Sequence, residues 1–184
     1  MQGCSAGNAT PIWRNAAPSD LDAIEAIASV VHVSLHERRA VLTEKLRLFP
    51  AGCLVLCRTG AVLGYALSHP WTFGTVPPLD HFLGALPRLA TCLFIHDVAI
   101  LPAAQGHGAG RSLIPRIDMA ARRHKLNALA LVSVYDTQSF WTDQGFAVLE
   151  DATLHAKLAT YGASARYMVK PLRVEPSSSE PLGP

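Results

Sequence analysis

The residues with the clearest chemical potential form a glycine-rich segment, Gln105-Gly-His-Gly-Ala-Gly110. An apolar stretch over 91–101 precedes it and predicts a buried strand, and residues 111–124 follow with apolar side chains at helical spacing. Glycine permits positive φ and close approach of the backbone to a ligand. The first N–H groups of a helix have no partner inside the helix and attract anions. The segment therefore predicts a phosphate-binding turn at a helix N-terminus, with a plain tight turn as the simpler alternative.

The glycine spacing narrows the choice of phosphate ligand. A Walker loop requires Gly-Lys-Ser/Thr, and a dinucleotide loop has the pattern G-x-G-x-x-G, whereas the glycines here follow G-x-G-x-G without the lysine. The remaining pattern is Gln-x-x-Gly-x-Gly. It resembles the acyl-CoA pyrophosphate loop of the GNAT N-acetyltransferase superfamily, which is written Q/R-x-x-G-x-G/A.

Other segments at matching separations strengthen this resemblance. Val98-Ala99-Ile100-x-Pro102 resembles the fourth strand of that family, and residues 139–146 (SFWTDQGF) resemble its later helix-to-strand motif, usually F-Y-x-x-x-G-F. Residues 13–21 resemble its first strand and helix, so the similarity covers about 11–172. The resemblance implies an α/β three-layer sandwich, with a mixed, mostly antiparallel sheet of six to seven strands and helices on both faces.

The resemblance also implies acetyl-CoA as cosubstrate, without a metal. The backbone of the fourth strand would polarise the thioester carbonyl and pair with pantetheine as an added strand does. The glycine turn would hold the pyrophosphate; His107 lies inside it, although a solvent-exposed His107 is the simpler interpretation. The residues expected to bind the cofactor are Val98, Ala99, Ile100, Gln105, Gly106, His107, Gly108, Ala109, Gly110, Arg111, Ser139 and Trp141.

His96 is the preferred general base, because the unperturbed pKa of histidine, near 6.5, suits proton transfer at neutral pH. Its distance from the loop resembles that of a catalytic histidine in arylalkylamine N-acetyltransferases, although Phe94 replaces a second histidine of that family. A hydrogen-bonded core histidine is the alternative. Asp97 should alternate to the opposite face of the strand, where a structural role is favoured over that of base. His69 ends a strand and could line the acceptor pocket.

The general acid departs from the family pattern. The family usually has a tyrosine after the phenylalanine of its F-Y motif, but this chain has Trp141, whose indole N–H is no practical acid. Tyr135 at the end of the preceding strand is the candidate substitute, with ordinary packing as the alternative. The weakly basic CoA thiolate could also leave without help. Trp141 is then expected to pack near pantetheine.

The elements that must position these groups follow from periodicity and turn residues. Pro115 falls inside a predicted helix, so we expect that helix to start late or to kink. Within the long loop 70–90, Trp71, Phe73, His81 and Phe82 are expected to shape the acceptor pocket and hint at an apolar or aromatic amine, with ordinary packing as the equal alternative. The predicted helices cover 21–31, 38–49, 111–124, 137–144 and 154–161, and the predicted strands cover 11–14, 53–58, 62–69, 91–101, 128–135, 146–150 and 165–172.

The composition limits the classes of protein to which this chain can belong. The chain has 184 residues, 49% hydrophobic and 16% charged, which fits one globular domain over 1–172 and a disordered Pro/Ser-rich tail over 173–184. A net charge of +2 gives no reason to expect nucleic-acid or membrane binding. The four cysteines lack metal spacing, and the N-terminus lacks a signal-peptide pattern, so a cytoplasmic protein is expected. A homodimer is compatible with the sequence.

The sequence is therefore compatible with three functions. The preferred one is an acetyl-CoA-dependent N-acetyltransferase that modifies a primary amine of a small molecule or a protein by direct attack in a ternary complex. The second is a non-catalytic acyl-CoA-binding module, which the missing tyrosine favours slightly. The third is a nucleotide-binding protein that uses the same glycine turn, against which the absent lysine counts.

Overall fold

The structure is a computed structural model that describes residues 10–172, so the tail predicted over 173–184 lies outside the described residues. Every predicted helix and strand is present, and no end is shifted by more than two residues. The strands are β1 (Ile12–Asn15), β2 (Cys53–Arg58), β3 (Ala61–Trp71), β4 (Cys92–Ile100), β5 (Ala128–Ser133), β6 (Ala147–Val148) and β7 (Arg166–Pro171). The helices are α1 (Leu21–Val31), α2 (Arg39–Leu48), α3 (Ala109–Arg123), α4 (Gln138–Asp143) and α5 (His155–Ala159).

The seven strands form one sheet in the order β1-β2-β3-β4-β5-β7-β6. Every pairing is antiparallel except that of β4 with β5. The parallel ladder joins only Leu93–Ile95 to Leu129–Leu131, although β4 continues to Ile100. Among the described residues, the last part of β4 therefore has a strand partner on its β3 side only.

Helices cover both faces of the sheet, as predicted. Alternation along the strands sends one set of apolar side chains towards α3 and α4, where Leu113 and Ile117 are buried. The opposite set packs against α1 and α2 around Ile24 and Leu42. A smaller cluster, which includes Leu154 and Tyr167, continues that second face beside α5. The result is the predicted mixed α/β sandwich of three layers.

A β-bulge in β4 changes which side chains face the site. Leu67 of β3 pairs with Asp97 and its neighbour Ser68 pairs with Ile95, so His96 is an extra residue on β4. The bulge shifts the alternation by one position. The expectation that Asp97 points away from His96 is therefore wrong, and both side chains reach the same cavities.

Helix α3 also differs from expectation. It begins at Ala109, directly after the glycine turn, and runs through Pro115 without starting late. Proline inside a helix removes one hydrogen bond and costs about 3 kcal/mol. Six buried apolar side chains of this helix offset that cost by packing on the sheet. They are Ala109, Leu113, Ile114, Ile117, Ala120 and Ala121.

Candidate active site

The glycine turn has the backbone geometry that its sequence predicts. Gly106 and Gly108 both adopt φ of 78°, in the left-handed region that favours glycine. Nothing lies within 4 Å of where a Cβ would stand at either residue, so the space above the turn is open. Gly108 caps α3 and accepts a hydrogen bond of 2.9 Å from the Ser112 amide. The Gln105 side chain donates to the Ile100 carbonyl at 2.8 Å and ties the turn to the end of β4.

Close contacts hold the first turn of α3 in place. A Cβ at Gly110 would stand 2.9 Å from Cζ of Phe140 in α4, so only glycine fits there without movement. The indole N–H of the buried Trp13 donates to the Ala109 carbonyl at 2.9 Å. Strand β1 and helix α4 thus fix the N-terminus of α3, where the amide N–H groups can meet an anion.

A large cavity of about 750 Å³ extends from the glycine turn along the end of β4 that has no β5 partner. Its volume lies within the usual range for small-molecule and cofactor sites. Residues of β4, the turn, the end of β5 and α4 line it. The predicted site residues among them are His96, Val98, Ile100, Gln105, Gly106, Gly108, Ala109, Gly110, Arg111, Tyr135 and Trp141.

Three residues predicted to bind the cofactor do not line this cavity. Ala99 is buried in the α1–α2 face of the sheet, because its side chain alternates away from Val98. His107 is exposed, and its Nδ1 lies 2.7 Å from the Gln105 carbonyl of the same turn. Ser139 is exposed on α4, whose Phe140 and Trp141 face the cavity instead.

A second, small cavity of about 40 Å³ adjoins the large one. The two cavities share His32, His96, Asp97, Val132 and Val134. The small cavity is further lined by Leu35, Glu37, Leu79, Phe94 and Tyr161. The shared residues therefore mark a junction at the β4 bulge.

The aromatic side chains of the long loop do not form this small cavity, and of the segment 70–90 only Leu79 lines it. Trp71 packs on His69, at 5.2 Å between ring centroids, and Phe73 packs on Tyr167 at 6.4 Å. Phe82 lies under Arg38 and is 55% exposed. The hint of an aromatic amine, which rested on these side chains, loses its support.

His96 is held by a buried ionic cluster. Both carboxylate oxygens of Glu37 lie 3.0 Å from His96 Nε2, and the Lys45 ammonium lies 3.3 Å from Oε1. All three side chains are at most 5% exposed. Burial raises the pKa of Glu37, but the charge and hydrogen bond of His96 and the charge of Lys45 outweigh it and lower that pKa to about 2. Glu37 therefore stays ionised at neutral pH.

This arrangement defines the roles of the two ring nitrogens of His96. Nε2 faces a carboxylate, an acceptor, so the neutral ring carries its proton there. Nδ1 is buried and has no hydrogen-bond partner among the described residues. No described residue therefore engages the lone pair on Nδ1, although this nitrogen itself exposes almost no surface to water.

His69, which was expected beside an acceptor pocket, lines neither of the two cavities. Its side chain is fully buried, its ring lies 5.5 Å from that of His96, and its Nδ1 is 3.2 Å from the Pro70 carbonyl. Burial, reinforced by the charge of His96, lowers the pKa of His69 to about 3. His69 is therefore a neutral packing residue behind His96.

Asp97 anchors a second polar group at the junction. Its carboxylate accepts a hydrogen bond of 2.5 Å from the Tyr65 hydroxyl, and its other oxygen lies 2.6 Å from His32 Nε2. Burial lowers the pKa of His32, but the Asp97 carboxylate outweighs it and the net shift is upward. Burial and the Asp97 charge raise the pKa of Tyr65 well above its usual value. His32 and Glu37 lie in or beside the α1–α2 connection, and no spacing motif in the sequence marks them.

Tyr135 reaches the large cavity from the end of β5. Its backbone has φ of 52°, its side chain is 44% exposed, and its hydroxyl lies 3.1 Å from the Ser34 hydroxyl. Its ring stacks on His32 at 5.8 Å between centroids. Trp141 is 7% exposed and lines the same cavity. The residue expected as acid and the residue expected beside pantetheine thus share one cleft.

Two further properties of the described residues bear on the type of site. No group of three or more His, Cys, Asp or Glu side chains within 10–172 is arranged to hold a metal ion. Over the same range, no helix is both long and apolar enough to span a membrane.

Solved structures with this fold include an N-acetyltransferase and a GNAT-like decarboxylase. Ard1 from Thermoplasma volcanium is 15% identical with a TM-score of 0.69, covering 90% of this chain and 100% of its own. The GNAT-like decarboxylase GphF in complex with isobutyryl-CoA is 20% identical with a TM-score of 0.74, covering 88% and 100%. The ribosomal-protein-S18-alanine N-acetyltransferase from Escherichia coli is 13% identical with a TM-score of 0.64, covering 91% and 97%. At these identities the likeness shows the fold.

The family is assigned from the sequence, through its match to a family model. No curated protein matches the chain significantly. The family model described as Acetyltransferase (GNAT) family matches residues 21–146, more than half of the chain, including the whole of β4, the glycine turn and α3. On this match, the chain belongs to the GNAT acetyltransferase family.

Proposed function

We propose that this protein is an acetyl-CoA-dependent N-acetyltransferase that modifies a primary amine by direct attack in a ternary complex. One observation carries the proposal: the large cavity connects the open glycine turn to His96, where a second, smaller cavity begins. A phosphate-binding turn, a long cleft and a histidine at its end are what transfer from a CoA thioester requires.

The cleft fits an extended acyl-CoA. The amides of the turn and the first residues of α3, from Gly106 to Arg111, would take the pyrophosphate. The pantetheine arm would lie along Val98–Ile100, where β4 has no β5 partner, and beside Trp141. Ala99 would contribute its backbone, since its side chain lies in the opposite layer. GphF, which has this fold, was solved in complex with isobutyryl-CoA.

His96 would then serve as the general base. The amine nitrogen attacks the thioester carbonyl carbon while Nδ1 of His96 takes its proton, directly or through water. The C–S bond breaks as the tetrahedral intermediate collapses, and the amide forms. Glu37 acts through His96, because it fixes the proton on Nε2 and leaves Nδ1 free. Asp97 with His32 forms the other wall of the junction.

The departing thiolate needs a proton, either from a protein group or from solvent. Tyr135 is the proposed donor, because it lines the same cleft and its ring stacks on His32. The hydroxyl contact with Ser34 would supply a route for reprotonation. Trp141 cannot usefully donate this proton. Because a CoA thiolate is only weakly basic, it could also leave without a protein acid and take its proton from solvent.

The main alternative is an acyl-CoA-binding module without catalysis. Thiol release from acetyl-CoA, measured with a panel of amines and with mass detection of the acetylated product, separates the two. Amine-dependent release in step with product supports the transferase. Thermal stabilisation by CoA without product supports the binding module, and stabilisation by ATP but not by CoA would overturn both.

A further inference from the structure

The walls of the small cavity are partly polar and partly apolar. Its polar groups are His32, His96 and Asp97, which also line the large cavity, and Glu37, which lines the small cavity alone. The remaining walls are aliphatic or aromatic: Leu35, Leu79, Phe94, Val132, Val134 and Tyr161. An acceptor that enters this cavity would therefore place a polar head at the bulge and an apolar body away from it.

Resting on the proposed function, we propose that the acceptor is a short aliphatic primary amine that carries no carboxylate beside its amino group. The small cavity binds its alkyl body, and the junction receives its nitrogen. This excludes free α-amino acids as preferred substrates, although their amines have the same intrinsic chemistry.

The charges at the junction disfavour an acceptor with a carboxylate beside its amino group. Two carboxylates, Glu37 and Asp97, border the place where the amine nitrogen must sit. The nearby ammonium of Lys45 is bound to Glu37 and only 1% exposed, and it does not line the cavity. His32 and His96 already face Asp97 and Glu37. A carboxylate on the carbon beside the amine would thus approach two further carboxylates, whose cationic partners are already engaged, and would bind less well than an uncharged group.

The size of the small cavity limits the size of the acceptor. The small cavity measures about 40 Å³, against about 750 Å³ for the large cavity by the same measure. So small a space favours a short alkyl chain over an aromatic ring. The acceptor should therefore be small as well as uncharged beside the nitrogen.

The wall that contains Leu79 is fixed, so the cavity cannot enlarge easily. Asp80 accepts hydrogen bonds from the Arg38 backbone and guanidinium at 2.8 and 2.7 Å, and its own amide donates to Glu37 at 2.9 Å. Glu44 of α2 accepts from the amides of Leu83 and Gly84. On the other side the Tyr161 hydroxyl donates to the Pro77 carbonyl at 2.7 Å. These bonds tie the loop across the small cavity.

Matched acceptors test the charge argument. Propylamine and 2-aminobutyrate differ only by the carboxylate beside the nitrogen, and 2-phenylethylamine adds a ring. At equal concentrations of unprotonated amine, we expect kcat/KM for propylamine to exceed that for 2-aminobutyrate at least about 100-fold. Equal or better turnover of 2-aminobutyrate, or of a peptide N-terminus, would overturn the inference and leave the transferase intact. No transfer to any of these acceptors would remove the transferase itself.

A variant of the wall tests the location. Leu79→Ala should raise the ratio of kcat/KM for 2-phenylethylamine over propylamine by about tenfold, because it opens space for the ring. Leu89→Ala is the matched control, since Leu89 lies on the same loop, is 87% exposed and lines neither cavity. An unchanged ratio in Leu79→Ala, with the CoA affinity and melting temperature of the wild type, would show that the acceptor binds elsewhere.

Discussion

Glu37 holds His96 through both of its carboxylate oxygens, each 3.0 Å from Nε2, although the two residues are 59 positions apart in the chain. The contact joins the α1–α2 connection to the bulge in β4. It fixes one tautomer of a histidine whose other nitrogen has no partner among the described residues. A carboxylate that orients a histidine in this way is a common means of preparing a general base.

His96→Gln should lower kcat about 100-fold at neutral pH, because glutamine cannot accept the proton of the amine. The KM for acetyl-CoA should change little, since the glycine turn is untouched. Steady-state kinetics with a saturating amine measures both constants. His155→Gln, at an exposed position in α5, is the control. A kcat equal to that of the wild type would remove His96 as the base.

Glu37→Gln should lower kcat about tenfold and also destabilise the fold. The buried Lys45 loses its counter-charge, which costs about 3–5 kcal/mol for a buried pair. Adding Lys45→Met should restore much of the stability measured by urea denaturation. The double variant should keep the low kcat, because His96 still lacks its carboxylate. Full recovery of kcat together with stability would mean that Glu37 is structural only.

His69 should make the protein less stable in mild acid. Its pKa is about 3 in the folded protein and near 6.5 when unfolded, so between these values the unfolded chain binds a proton that the folded chain does not. The free energy of unfolding attributable to this residue is fully present above about pH 6.5 and falls as the pH decreases towards 3. His69→Gln should flatten this dependence in denaturant titrations from pH 7 to pH 3.5. Identical slopes in both proteins would contradict the buried neutral state of His69.

Gly110→Ala should weaken binding of CoA about tenfold. The added Cβ would stand 2.9 Å from Cζ of Phe140, so the Phe140 ring must shift into the large cavity or the two helices must move apart, and overpacking of this kind costs about 1–3 kcal/mol. Gly110→Ala combined with Phe140→Leu removes the clashing ring atoms and should recover part of the affinity. Calorimetric titration gives both dissociation constants. If Gly110→Ala binds CoA as the wild type does, the close approach of the two helices does not shape the site.

Local patterns account for the parts of this site that the sequence predicts. The glycine turn, β4 and the start of α3 are contiguous, so residues such as Gln105 and Gly108 could be identified without tertiary information. Glu37 and His32 could not, because they come from an irregular connection that meets β4 only in the folded protein. Simple alternation along β4 places Asp97 on the wrong face of the sheet, because it does not anticipate the bulge at His96.

The small cavity also depends on contacts that the sequence does not reveal. The aromatic residues of the loop 70–90 suggested a pocket by composition alone. In the structure, hydrogen bonds that the carboxylates of Asp80 and Glu44 accept set the path of that loop, and Leu79, rather than an aromatic side chain, lines the small cavity. Such long-range pairs leave no periodic signal in the sequence.

The most direct test of the central claim is calorimetric titration of acetyl-CoA into the wild type, Gly108→Glu and Gly108→Asn. Gly108 has φ of 78°, which asparagine tolerates better than most residues, so the Asn variant controls for the backbone while the Glu variant also places a negative charge in the open space above the turn. We predict that the wild type binds, that Gly108→Asn keeps most of the affinity, and that Gly108→Glu loses at least about 100-fold. Equal affinity in the wild type and Gly108→Glu would contradict a pyrophosphate site at this turn.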